Sequence, residues 1–207
     1  MRIAILGAEC TGKTQLAQAL VTQLQGRFTA VKWEPEYLPE WCDKHGRTPF
    51  AHEQAAIARE QMARILRHPP GTLLLCDTTP LMTAVYSDVI LGDTTLYPWA
   101  LEQHQAFELT LLTGMDLPWV DDGIQRDGPA MRSRIDQRLR EVLIQNRISF
   151  SAVYGYGPAR AQQACLAILS ACGSVPDTPP ANWKWTCEKC SDGDCEHRIF
   201  SSLVTGE

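Results

Sequence analysis

A chain of 207 residues, 44% of them hydrophobic and 21% charged, can close one ordinary globular core. Its formal net charge of −5 excludes a general polyanion binder, which is normally basic, so no nucleic-acid partner is expected. A nucleotide remains compatible with that charge, because a phosphate loop works through backbone N–H groups and one or two local cations. No apolar run approaches the ~18 residues of a membrane helix, so no membrane partner is expected either.

Residues 3–6 form a short apolar run that predicts a buried parallel strand. A glycine-containing loop follows, and Leu16, Ala17, Leu20, Val21 and Leu24 then recur at helical spacing up to a stop at Gly26. Residues 29–33 read as a second strand, with Glu34-Pro35-Glu36-Tyr37 as the loop leaving it. Residues 50–67 predict a long helix with Ala55, Met62 and Leu66 on one face, ended by Pro69-Pro70-Gly71. Residues 72–76, continuously apolar and closed by Asp77, are the clearest strand. Helical spacing resumes over residues 81–91 behind Pro80, a favoured first-turn residue. Residues 108–113 give a fourth strand, and Ile135, Leu139, Val142 and Leu143 mark a helix. A fifth strand at 148–153 and a last helix at 158–172 complete the body.

Strands alternating with helices predict an α/β fold of three layers around a parallel sheet of about five strands. The body is expected over residues 1–172, a stiff Pro-rich linker over 173–181, and a Cys/Trp-rich tail over 182–207.

The strongest motif is Gly7-Ala8-Glu9-Cys10-Thr11-Gly12-Lys13-Thr14. It matches G-x-x-x-x-G-K-[ST], with a predicted strand before it and a predicted helix after it, the context a phosphate loop requires. Glycine lets the backbone curl so that successive N–H groups face phosphate, and the helix N-terminus adds partial positive charge. Lys13 is expected to bridge the β- and γ-phosphates of ATP, and the Thr14 hydroxyl to ligate Mg²⁺. Asp77, ending a buried strand, is expected to hold the same ion; the alternative is a cap for the helix at Pro80, which Thr78 or Thr79 could share.

Eight cysteines invite a disulfide reading, but their placement opposes it. Cys10 lies in the phosphate loop, Cys76 ends a strand, and Cys165 and Cys172 sit in a helical pattern. Residues 1–6 are far too short for a secretory signal, so reduced thiols in a cytoplasmic protein are expected.

The segment Leu117-Pro118-Trp119-Val120-Asp121-Asp122-Gly123-Ile124-Gln125-Arg126-Asp127-Gly128 follows the fourth strand. With Asp77-Thr78 and Ile57-Ala58, it resembles the ribosylnicotinamide kinase domain at the C-terminus of the bifunctional bacterial NAD-salvage regulator, within the P-loop kinase and AAA-type ATPase domains. The likeness spans roughly residues 1–155. It implies the kinase branch of P-loop folds, with the Asp77 strand beside the phosphate-loop strand, and transfer of the γ-phosphate of ATP to the 5′-hydroxyl of nicotinamide riboside.

The resemblance also implies roles. Glu36, with Glu34 second, is the expected base at the end of the second strand. Trp119 is expected as an aromatic platform for a charged nicotinamide ring, with Tyr37 as a second wall; ordinary core is the alternative for Trp119. Asp121 fits a ribose-binding position, with Asp122 beside it. Arg126 fits a lid cation, while Arg132 and Arg134 read equally as lid cations or as a solvated helix face with Asp136 and Arg138. The pattern departs at Pro35, where relatives carry an arginine before the Glu-Tyr pair. With Met1 only a few residues before the phosphate loop, no upstream adenylyltransferase or DNA-binding domain is expected.

In the tail, Cys187, Cys190, Cys195 and His197 place four zinc-compatible ligands within a short span, with Asp192-Gly193-Asp194 as the turn. Structural zinc is one expectation, an inert tail the other. Trp183 and Trp185 are expected to pack the tail on the body, and acidic neighbours favour a protein partner or self-association over RNA. A second functional class, a P-loop ATPase acting as a nucleotide-dependent regulator or interaction module, stays open beside the kinase, as does a kinase for another nucleoside.

Overall fold

The computed structural model describes residues 1–119 and 128–173. Five strands alternate with helices: β1 (Arg2–Leu6), α1 (Lys13–Leu24), β2 (Val31–Glu34), α2 (Tyr37–His45), α3 (Gln54–Leu66) and β3 (Leu73–Asp77). Then follow α4 (Pro80–Leu91), α5 (Tyr97–His104), β4 (Leu109–Thr113), α6 (Pro129–Gln145), β5 (Ser151–Val153) and α7 (Gly157–Ala171). No described helix is long and apolar enough to cross a membrane.

All pairings are parallel, and the strand order is β2-β3-β1-β4-β5. Side chains alternate across a strand, so each apolar strand feeds both faces of the sheet. Ile3 and Ile5 of β1, with Leu73 and Leu75 of β3, pack against Leu16 and Leu20 of α1 and Ile168 of α7. The intervening Ala4 and Leu6 pack on the other face with Leu81 and Val85 of α4 and Ile135 and Leu139 of α6. Burial on both faces explains why these strands read as unbroken apolar runs. The three-layer α/β fold with a five-stranded parallel sheet is the one expected.

Three expectations need correction. Leu66 is 51% exposed, and the buried face of α3 is formed by Ile57, Ala58, Met62 and its neighbour Ile65. The segment after β2 is a loop only at Pro35 and Glu36, because α2 begins at Tyr37. A further short helix, α5, fills the stretch between α4 and β4.

Candidate functional site

β1 lies between β3 and β4, and its chain leaves the C-terminal edge of the sheet where the connections diverge to opposite sides. Crevices at such points are where open α/β sheets take ligands. The loop from Gly7 to Gly12 occupies this position and leads into α1 at Lys13.

Local sterics fix the loop. Gly7 has φ 150°, and a Cβ there would stand 2.1 Å from Thr113 Oγ1 and 2.9 Å from Thr11 Oγ1. Thr113, at the end of β4, stands 2.7 Å from Thr11 Oγ1 and 3.0 Å from the Leu6 carbonyl, and Thr11 donates to the Ala8 carbonyl at 2.7 Å. Gly12 enters the helix at φ 70°, a left-handed conformation that costs glycine little. Gly7→Ala is expected to cost at least about 2 kcal/mol of stability in chemical denaturation, through overpacking and backbone strain together, and to abolish nucleotide binding.

Lys13 donates from Nζ to the Ala8 carbonyl at 3.0 Å, so its ammonium is folded over the loop. Thr14 donates to Asp77 Oδ2 at 2.5 Å. The second oxygen of Asp77, Oδ1, is buried without a partner. Register places Asp77 beside Ile5 of β1, at the root of the loop. Helix α4 is capped by Thr79, and no side chain bonds that cap, so Asp77 does not cap it. Burial raises the Asp77 carboxyl above its ordinary value, against Lys13 and the Thr14 hydroxyl, which pull it down. An exposed hydroxyl bonded to a buried carboxylate with one orphaned oxygen suits a hard, oxygen-seeking cation such as Mg²⁺. Thr78, next in the chain, has φ 73°, a strained conformation for a β-branched residue.

Glu36 faces the same group of charges. Its side chain keeps some exposed area, yet surrounding protein desolvates the carboxyl and pushes it up to about 7. Lys13 opposes that rise, while Asp77 and Glu9 reinforce it. Glu36 is the N-cap of α2 but makes no side-chain capping bond, so its carboxylate is not spent on its own helix. Glu34 is directed elsewhere: its Oε2 lies 2.7 Å from His68 Nε2. Of the two glutamates, Glu36 is the one brought to Lys13 and Asp77. Glu9, within the loop, has a buried Oε2 without a partner.

Two arginines brace the loop from behind. Arg132 of α6 is buried, donating to the Leu117 carbonyl at 2.9 Å and to the Cys10 carbonyl at 3.4 Å. The solvated-face alternative for Arg132 is therefore wrong; Asp136 pairs instead with Arg140, and Arg138 with Asp88 and Glu141. Arg134 is exposed. Arg160 of α7, which the sequence reading missed, is buried and donates to the Thr11 carbonyl at 2.5 Å. Burial lowers its guanidinium below the ordinary value, opposed by Asp116 and Tyr156. Its only sequence signal is the Gly155-Tyr156-Gly157-Pro158 turn just before it.

Tyr37 opens α2 with the Arg64 guanidinium 4.2 Å from its ring centre. Thus α3 supplies a guanidinium beside this residue. Trp119 is half-buried at the end of the segment leaving β4. Asp121, Asp122, Arg126, Trp183, Trp185 and the four expected zinc ligands Cys187, Cys190, Cys195 and His197 lie outside the described residues. Among the described residues, no three His, Cys, Asp or Glu side chains group as a metal site.

A phosphate loop at the edge of a parallel sheet, with an acid-bearing strand directly beside the loop strand, defines a P-loop protein of the kinase type. A family model described as an AAA domain matches residues 2–160, and the chain belongs to that family.

Solved structures agree on the fold. A NadR protein in complex with NAD and AMP-PNP matches with TM-score 0.66 at 16% identity, over 88% of this chain and 51% of that one. A NadR protein in complex with NR matches with TM-score 0.68 at 18% identity, over 88% and 54%. The chain thus spans about half the length of those NadR proteins. Thymidylate kinase from Candida albicans matches with TM-score 0.60 at 15% identity, over 84% of this chain and 92% of that enzyme. The comparison with curated proteins gives no match. The fold is that of nucleoside and nucleotide kinases.

Proposed function

We propose that this protein is an ATP-dependent small-molecule kinase that phosphorylates the 5′-hydroxyl of nicotinamide riboside. The observation that carries this reading is the convergence of Lys13, Asp77 and Glu36 on one side of the phosphate loop, with Glu36 pushed up to about 7. A carboxylate in that range is matched to accepting a proton at neutral pH.

In this reading the loop N–H groups and the Lys13 ammonium hold the β- and γ-phosphates of ATP. Thr14 and Asp77 would hold Mg²⁺, which supplies positive charge to the phosphates when bound. Glu36 accepts the proton of the acceptor hydroxyl. The hydroxyl oxygen forms the new bond to the γ-phosphorus, the bond from that phosphorus to the β–γ bridging oxygen breaks, and ADP leaves. Tyr37 and Trp119 flank the nicotinamide ring, Asp121 receives a ribose hydroxyl, and Arg126 supplies charge to the transferring group. The roles of Asp121 and Arg126 rest on the resemblance alone, and zinc at Cys187, Cys190, Cys195 and His197 on the spacing of those four residues alone.

Support for a nucleoside over a nucleotide acceptor comes from charge. Glu9, Glu36 and Asp77 gather at the loop, while Arg47 and Arg64 on the α2–α3 side are bound to Glu53 and Glu40. Such a setting favours a neutral or cationic acceptor over a monophosphate dianion. The test measures ADP release by purified protein with ATP and Mg²⁺ against a panel: nicotinamide riboside, deoxyadenosine, thymidine and thymidine monophosphate. Nicotinamide riboside is expected to give the largest kcat/KM. A higher value for another nucleoside overturns the acceptor, and slow hydrolysis indifferent to the whole panel favours a regulatory ATPase.

A further inference from the structure

Helix α3 carries a buried amide that the chemistry above does not use. Gln61 is 3% exposed. Its Oε1 accepts the Tyr37 N–H at 2.6 Å, and its Nε2 donates to the Pro35 carbonyl at 3.1 Å. Those two groups belong to the peptide units on either side of the Glu36 Cα. One planar amide therefore spans Glu36 and restrains both of its backbone torsions, at φ −62° and ψ 132°.

Packing alone does not call for glutamine here. A buried amide costs free energy unless both ends are bonded, and an apolar residue of the same size avoids that cost. The bridge also replaces local capping: the first N–H of α2, that of Tyr37, donates to Gln61 Oε1, and the Glu36 side chain makes no capping bond. One turn along α3, Arg64 forks onto Glu40 at 2.6 and 2.7 Å and stands over the Tyr37 ring. Helix α3 thus grips the start of α2 at the peptides around Glu36, at the Tyr37 ring and at the Glu40 carboxylate.

We infer that Gln61 is a positioning residue, whose amide locks the backbone around Glu36 and so keeps that carboxylate aimed at the acceptor beside Lys13 and Asp77. This rests on the reading of Glu36 as the base. Only a side chain with both a donor and an acceptor at its tip completes the bridge. Glutamate in its place keeps the bond from Tyr37 but sets an oxygen against the Pro35 carbonyl. Methionine, of similar length, loses both bonds.

The experiment measures steady-state kinetics of Gln61→Glu and Gln61→Met, alone and combined with Glu36→Gln. Each single variant is expected to lower kcat roughly 10- to 100-fold, as a misaimed group does. The KM for ATP should stay within about twofold, because the phosphate loop is untouched. Combined with Glu36→Gln, either substitution should cause no further loss, since the group being aimed is already gone. Normal kcat in both single variants, or the same fractional loss with and without Glu36→Gln, overturns the inference. Failure of the kinase reading looks different: the wild-type protein itself then transfers no phosphoryl group, and the inference falls with it.

Discussion

Replacing Lys13 with alanine is expected to lower turnover by roughly 10²–10³-fold and to leave the fold intact, as removal of a cation from a developing phosphoryl charge does. The fold survives because Lys13 opens α1 and its one hydrogen bond goes to the Ala8 carbonyl, within the same loop. Alanine also has the higher helix propensity. A second effect follows from the acids around it. The ammonium holds both Glu36 and Asp77 below the values that burial alone would set, so its loss should raise both carboxyls further. Steady-state kinetics and thermal unfolding check the two halves. Wild-type turnover in the alanine variant removes the phosphate loop from the mechanism.

Glu36→Gln should cut turnover by roughly 10²–10⁴-fold, the range a positioned base contributes. In the wild type, kcat/KM is expected to rise with pH through about 7, because the base must be ionised to accept the hydroxyl proton. That limb should vanish in the variant. Stability moves the opposite way. The folded-state carboxyl lies at about 7 against an ordinary 4.5, so between those values the folded state holds a proton that the unfolded state has released. Wild-type stability therefore falls as pH rises from about 4.5 to about 7, relative to the variant. Above pH 7 the glutamine protein should be the more stable by an amount on the order of 1–3 kcal/mol, and near pH 4 the two should coincide. Denaturant titrations at pH 4 and pH 8 read this directly. A wild-type protein that is equally or more stable at pH 8 contradicts the buried environment of Glu36.

Function residing in a strained, charge-crowded crevice also explains what could be read in advance. The central strands β1, β3 and β4 were legible because each is an apolar run buried on both faces, and the loop from Gly7 to Thr14 because its spacing is set by phosphate geometry; the edge strands β2 and β5 are only partly buried and carry Lys32, Glu34 and Ser151. Helices α2 and α5 left no such trace. Each is short, carries a proline in its first turn, and buries only two residues: Trp41 and Cys42 in one, Ala100 and His104 in the other. Helical periodicity needs more than that. Leu66 and Ile65 are adjacent and equally apolar, so sequence could not say which one α3 turns inward.

The site divided in the same way. Lys13, Thr14 and Asp77 belong to a local motif and a strand end. Gln61, Arg132 and Arg160 act across 24, 122 and 149 residues of chain, on backbone carbonyls and amides that carry no side-chain signature. Arg132 in particular shares its stretch of helix with ordinary surface charges, and only the packing of α6 against the loop separates it from exposed Arg134.

Phosphorus NMR of the protein mixed with ATP, magnesium and nicotinamide riboside tests the central claim most directly. The account predicts loss of the γ-phosphate resonance of ATP together with growth of a single phosphomonoester resonance. An unchanged ATP spectrum, or inorganic phosphate as the only new species, contradicts it.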